Sequence, residues 1–113
     1  LLVVVTEPTA SGEHDLMRVM DLADHFMLEV AVVINKNDLA PALTSRIEAL
    51  CSRRGIDVLA HLPFDPGVPE ALSRGELPLA VEAVAPHLHE LWAKLSRREP
   101  ARPELEMRER PPR

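Results

Sequence analysis

The residues with the clearest chemical potential are Asn35-Lys36-Asn37-Asp38, directly after the apolar run Val30-Ala31-Val32-Val33-Ile34. An asparagine carboxamide presents a donor and an acceptor side by side, which matches the N6/N7 edge of adenine. A carboxylate at Asp38 can instead accept from the N1 and N2 hydrogens of guanine. The Asn-Lys-x-Asp pattern alone leaves the two bases open, and Asn and Asp also serve the geometry of a polar turn. Two more segments carry loop chemistry beside apolar runs: Thr6-Glu7-Pro8-Thr9-Ala10-Ser11-Gly12 and Pro63-Phe64-Asp65-Pro66. No G-x-x-x-x-G-K-[ST] run occurs, so this sequence brings no phosphate cradle, phosphate-binding lysine or Mg²⁺-holding hydroxyl. No catalytic residue and no metal site is assigned. His14 and His25 stand too far apart along a helix to share an ion, and His87 and His89 point to different faces.

These segments need elements to position them, and the hydrophobic pattern supplies a repeating order. Leu1 to Val5 is a continuous apolar run expected to form a strand covered on both faces. Leu16, Val19, Met20, Ala23, Phe26 and Met27 then recur at helical spacing, which predicts an amphipathic helix of about three turns. Val30 to Ile34 is a second buried strand. Leu43, Ile47, Leu50 and Cys51 define a second helix, opened by Pro41 and closed by Arg53-Arg54-Gly55. Ile56 to Leu62 is a third strand, and a short helix through Val68, Ala71 and Leu72 ends at Gly75. Residues 76–84 suit an edge strand and a helix equally. Leu88, Leu91, Trp92 and Leu95 predict a terminal helix to about Arg98, with Trp92 in the core.

Strand and helix in alternation imply a three-layer α/β architecture, a mostly parallel sheet with flanking helices. In such sheets ligands sit beyond the carboxyl ends of the strands, where all three polar segments fall. Residues 1–96 are expected to form the folded unit and 97–113 a disordered, charged, proline-rich tail.

Composition narrows the function. The formal charge is -5, with 7 basic and 14 acidic side chains in residues 1–96 and 6 arginines and 4 glutamates in 97–113. An acidic body lacks the clustered lysine and arginine that nucleic-acid binding draws on, so no nucleic-acid partner is expected. Cys51 is the single cysteine, read as a buried helix thiol, and excludes an internal disulfide. No apolar run reaches membrane-spanning or signal-peptide length, and a cytoplasmic location is expected. The opening on bare apolar residues is that expected of a piece of a longer polypeptide.

Several motifs in order carry a resemblance. Thr6-Glu7-Pro8-Thr9 with Ser11-Gly12, His14-Asp15-Leu16, Arg18 and His25-Phe26 resembles the segment after switch II in MinD/ParA-type P-loop ATPases, most closely the subgroup with an inserted ferredoxin domain. Val32-Val33-Ile34-Asn35-Lys36 with Asp38-Leu39 resembles that family's base-contact segment. Leu62-Pro63-Phe64-Asp65-Pro66 with Val68, Glu70 and Ala71 resembles its next nucleotide-side loop. The likeness spans residues 1–95 and implies the C-terminal half of a P-loop NTPase fold. It also implies adenine as the base, with Asn35 touching it, Lys36 packing near it, Asp38 in the same segment, and Pro63 and Asp65 lining the base and ribose side. Thr6 and Glu7 would lie closer to the phosphates, in a mainly structural role. The implied parent binds ATP with Mg²⁺, forms a homodimer, pairs this piece with the missing N-terminal half of the same domain, and carries any iron–sulfur cluster outside this chain. One departure concerns the first helix, where Met27 stands in place of the family's glycine. A different class of function, a self-standing α/β interaction module without nucleotide binding, is the alternative.

Overall fold

The computed structural model describes residues 1–98. Three parallel strands, β1 (Leu2–Thr6), β2 (Val30–Asn35) and β3 (Asp57–Leu62), lie in the order β1-β2-β3. Helices α1 (Ala10–His25) and α2 (Pro41–Arg53) make the two crossovers, α3 (Gly67–Ser73) follows β3, and α4 (Ala85–Arg97) closes the described chain. The architecture is α/β, as the alternating pattern predicts.

The sheet separates two apolar cores. On one face Val32 and Ile34 of β2 meet Leu16 and Met20 of α1 and Ile47, Leu50 and Cys51 of α2. On the other, Ala31 and Val33 meet Leu59 and Ala60 of β3, with Leu91 and Leu95 of α4 packed over them. This explains why β2 is apolar without alternation: both of its faces are covered. Each large side chain removed from water in this way contributes about 1.5–3 kcal/mol. Cys51 is buried as expected, and burial, helped by the Glu48 carboxylate, raises its thiol pKa, so it stays protonated and serves as a small apolar group.

Three expectations are corrected and one open segment is settled. β1 is covered on one face only: Val4 packs against the α1–α2 core, whereas Val3 and Val5 point to the opposite face and are exposed. α1 is longer than three turns, with 16 residues, because Thr9 caps it ahead of the apolar stripe, its hydroxyl accepting from the Gly12 N–H at 2.9 Å. Residues 76–84 are neither strand nor α-helix; a 3-10 turn at Pro78–Ala80 bridges α3 to α4. Trp92 is not core but 71% exposed, since Leu91 and Leu95 are the α4 residues that meet the sheet. Arg97 closes α4, close to the expected end near Arg98, and the Arg98 guanidinium binds Glu29 at 2.8 Å and Asp57 at 2.9 Å. Residues 99–113, where the rest of the tail was expected, lie outside the described residues.

Met27 marks the end of α1 after all. It adopts φ 53°, with its N–H on the Asp24 carbonyl at 3.1 Å and the Leu28 N–H on the Ala23 carbonyl at 2.9 Å. Those two bonds are the Schellman pattern, and Gly55 and Gly75 close α2 and α3 in the same way at φ 66° and 75°. Met27 is 92% exposed, so its side chain gives little in return for the strained backbone. Met27→Gly is therefore expected to stabilise the chain by about 1 kcal/mol, the approximate cost of the left-handed region for a residue with a Cβ. A urea melt with an unchanged or lower midpoint would contradict this.

Candidate functional site

The carboxyl ends of β2 and β3 open into one cleft of about 230 Å³, lined by Asn35 and Lys36 from the turn after β2, Pro63, Phe64 and Asp65 from the turn after β3, and Val68, Pro69 and Leu72 from α3. Its walls are mainly apolar with few polar groups. That is the usual composition of a small-molecule site, in a volume below the roughly 300–1,000 Å³ of pockets that take whole drug-sized ligands. It suits a planar base better than an entire nucleotide.

Asn35 closes β2 half-buried. Its carboxamide oxygen accepts from the Lys36 N–H at 3.0 Å. A backbone N–H can only donate, so the oxygen must face it. Among the described residues the amino group donates to no protein acceptor, and two donors are left for another partner. Lys36 stands at φ 53°, unusual for a side chain with a Cβ, and its ammonium pairs with the Glu7 carboxylate at 3.2 Å. The lysine lines the cleft, but its charge is directed to the loop after β1. Both partners are partly exposed, so the pair adds only about 0–1 kcal/mol.

Asp38 does not line the cleft. Its carboxylate accepts from the Phe64 N–H at 2.8 Å, while Asn37 donates its N–H to the Leu62 carbonyl at 3.1 Å. The Asn37 carbonyl in turn accepts the hydroxyl of buried Thr44 at 2.7 Å. The turn after β2 is thus fastened to the turn after β3 and to α2. Asp65 accepts from the Gly67 N–H at 2.7 Å, which starts α3 and orders the far wall.

Four of the five residues expected at the site, Asn35, Lys36, Pro63 and Asp65, come together; Asp38 stands behind them. Phe64, Val68, Pro69 and Leu72 were missed as lining residues. The available signal was Phe64 lying between Pro63 and Asp65, with Val68 and Leu72 one helical turn apart behind it.

The third polar segment forms a separate groove with Val4, Val5, Thr6, Glu7, Thr9, Gly12, Asp15, Leu16 and Val19 along its walls, on the open side of β1. Here Thr6 is buried and donates its hydroxyl hydrogen to the Gly12 carbonyl at 3.2 Å, a structural role.

No family model matches the sequence. No curated protein matches it either. Among solved structures the chain is similar to the MinD cell division protein of Aquifex aeolicus, with a TM-score of 0.68 and 17% identity, across 87% of this chain. The matched part is 44% of that protein, so the chain spans less than half of its length. At this identity the likeness shows a MinD-like fold.

Proposed function

We propose that this chain supplies the adenine-binding side of a MinD-like P-loop ATPase. The observation that carries the proposal is the convergence of Asn35, Lys36, Pro63, Phe64 and Asp65 on one base-sized cleft at the carboxyl ends of two parallel strands. The Asn35 amino group would donate to a ring nitrogen, Phe64 and Pro63 would cover the base, and Asp65 would border the ribose. For the triphosphate and Mg²⁺ the 113 residues contain no phosphate-loop sequence, so both would be held by a separate segment. The ordered motifs from Thr6 to Phe26 extend the proposal to a cytoplasmic, homodimeric parent in which ATP use is linked to iron–sulfur or ferredoxin-type chemistry.

Titration of the chain with adenosine tests the base site without the phosphates. Lacking their contacts, adenosine is expected to bind with Kd on the order of 1 mM, near −4 kcal/mol. Asn35→Asp keeps an oxygen that accepts from the Lys36 N–H and replaces the two donors with a second acceptor oxygen and a negative charge. It should weaken adenosine by about 1–3 kcal/mol, because the ring nitrogen loses its donor and meets an acceptor instead, while circular dichroism shows the fold retained. Equal binding by both chains, or guanosine binding as well as adenosine, would remove the support for an adenine site.

A further inference from the structure

The Asn-Lys-x-Asp pattern offers Asp38 as an acceptor for guanine, and its geometry gives it another task. The carboxylate reaches 26 residues along the chain to accept the Phe64 N–H at 2.8 Å, and Asp38 is absent from the cleft lining whereas Phe64 is part of it. The neighbouring bond, Asn37 N–H to Leu62 carbonyl at 3.1 Å, continues the sheet and holds the base of the two turns. The Asp38–Phe64 bond lies further out, where the chain has left β3 and two prolines, Pro63 and Pro66, offer no N–H of their own. Phe64 keeps 43% of its surface exposed, so packing alone does not fix it. A charged acceptor makes the stronger kind of hydrogen bond, and here it ties the backbone of this wall to the turn after β2.

We propose that Asp38 is a positioning residue that holds the Phe64 backbone against the turn after β2, setting the aromatic wall of the cleft and acting on a bound base through Phe64 without touching it. This rests on the adenine-site reading for the identity of the ligand, but not for the tie itself. A stacked base gains from a ring held in place and loses when the ring is free to swing away. The tie requires an acceptor oxygen at this position, and the charge adds to its strength. Asparagine at this position retains an acceptor; alanine does not.

The test compares wild type, Asp38→Asn and Asp38→Ala by hydrogen exchange read by mass spectrometry at low micromolar concentration, beside titrations with adenosine and guanosine. In Asp38→Ala the segment holding Phe64 is expected to exchange about tenfold faster or more, the loss of one charged hydrogen bond, while β2 and α2 keep their protection. Adenosine should bind about tenfold more weakly in the same variant, and Asp38→Asn should restore both properties to within about threefold of wild type. Unchanged Phe64 exchange in Asp38→Ala overturns the proposal. So does an Asp38→Asn chain that loses nucleoside binding as fully as Asp38→Ala while Phe64 stays protected, since that pattern belongs to direct contact with the base. Should wild type bind neither nucleoside, the adenine-site reading fails, and the exchange measurement still decides the role of Asp38.

Discussion

Gly12→Ala is expected to destabilise the chain by about 1–3 kcal/mol, although the same substitution inside an ordinary helix stabilises by about 1 kcal/mol. Gly12 sits in the first turn of α1, where alanine is normally preferred. A Cβ built there would lie 2.3 Å from the Glu7 carbonyl oxygen and 2.9 Å from the Thr9 hydroxyl. The first contact is with backbone and cannot be relieved by a rotamer. Either α1 moves away from the end of β1, breaking the Thr6 hydroxyl bond to the Gly12 carbonyl, or the loop from Thr6 to Thr9 shifts and Thr9 ceases to cap the helix. Loss of such a cap costs about 1 kcal/mol by itself. Gly55→Ala provides the contrast: nothing lies within 4 Å of its Cβ, and only its left-handed φ of 66° is strained. Denaturant melts should place Gly12→Ala below Gly55→Ala. The reverse order would mean that the loop after β1 is soft and that its close approach to α1 sets no constraint.

The second large effect concerns association. β1 is an edge strand paired on one side with β2, and its exposed face carries Val3 and Val5, the latter 61% exposed. No proline or charge interrupts Leu2–Val5, so its free backbone groups are a template for another strand. The β3 edge is blunted by contrast. An irregularity in its register at Leu59 disturbs the ladder, and the Lys94 ammonium occupies the Leu59 carbonyl at 2.8 Å. The isolated 113-residue chain is accordingly expected to self-associate at micromolar concentration through β1, with Val5→Lys shifting it to monomer. Sedimentation velocity distinguishes the outcomes. A wild-type monomer with a single cooperative transition above about 60 °C would show that the β1 edge is not adhesive, and would favour a self-standing module.

Much of the fold is legible from local pattern. Val30–Ile34 lacks alternation because both faces are covered, and the glycines after α2 and α3 stand at their left-handed ends. Met27 escapes that reading because a methionine does not announce a positive φ; only its two capping hydrogen bonds reveal it. Trp92 lies four residues after Leu88 and three before Leu95, so helical periodicity includes it in the apolar stripe, and the tertiary contact of Leu91 and Leu95 decides which edge of the stripe is buried. The convergence of the turns after β2 and β3 follows from parallel topology and could be inferred. What could not be inferred are the ties that cross long stretches of chain, Glu7 to Lys36 and Asp38 to Phe64, because no spacing rule encodes a partner so many residues away.

The proposal that the cleft takes adenine is tested most directly by mapping where adenosine binds. Backbone amide NMR of the Val5→Lys chain, titrated with adenosine to several millimolar and then with guanosine, locates the contact residue by residue. The account predicts saturable shifts confined to Asn35, Lys36, Asn37, Phe64, Asp65, Val68 and Leu72, with guanosine causing smaller and non-saturating changes. Shifts centred on the groove of Thr6, Gly12 and Asp15, or equal responses to the two nucleosides at every site, would contradict it.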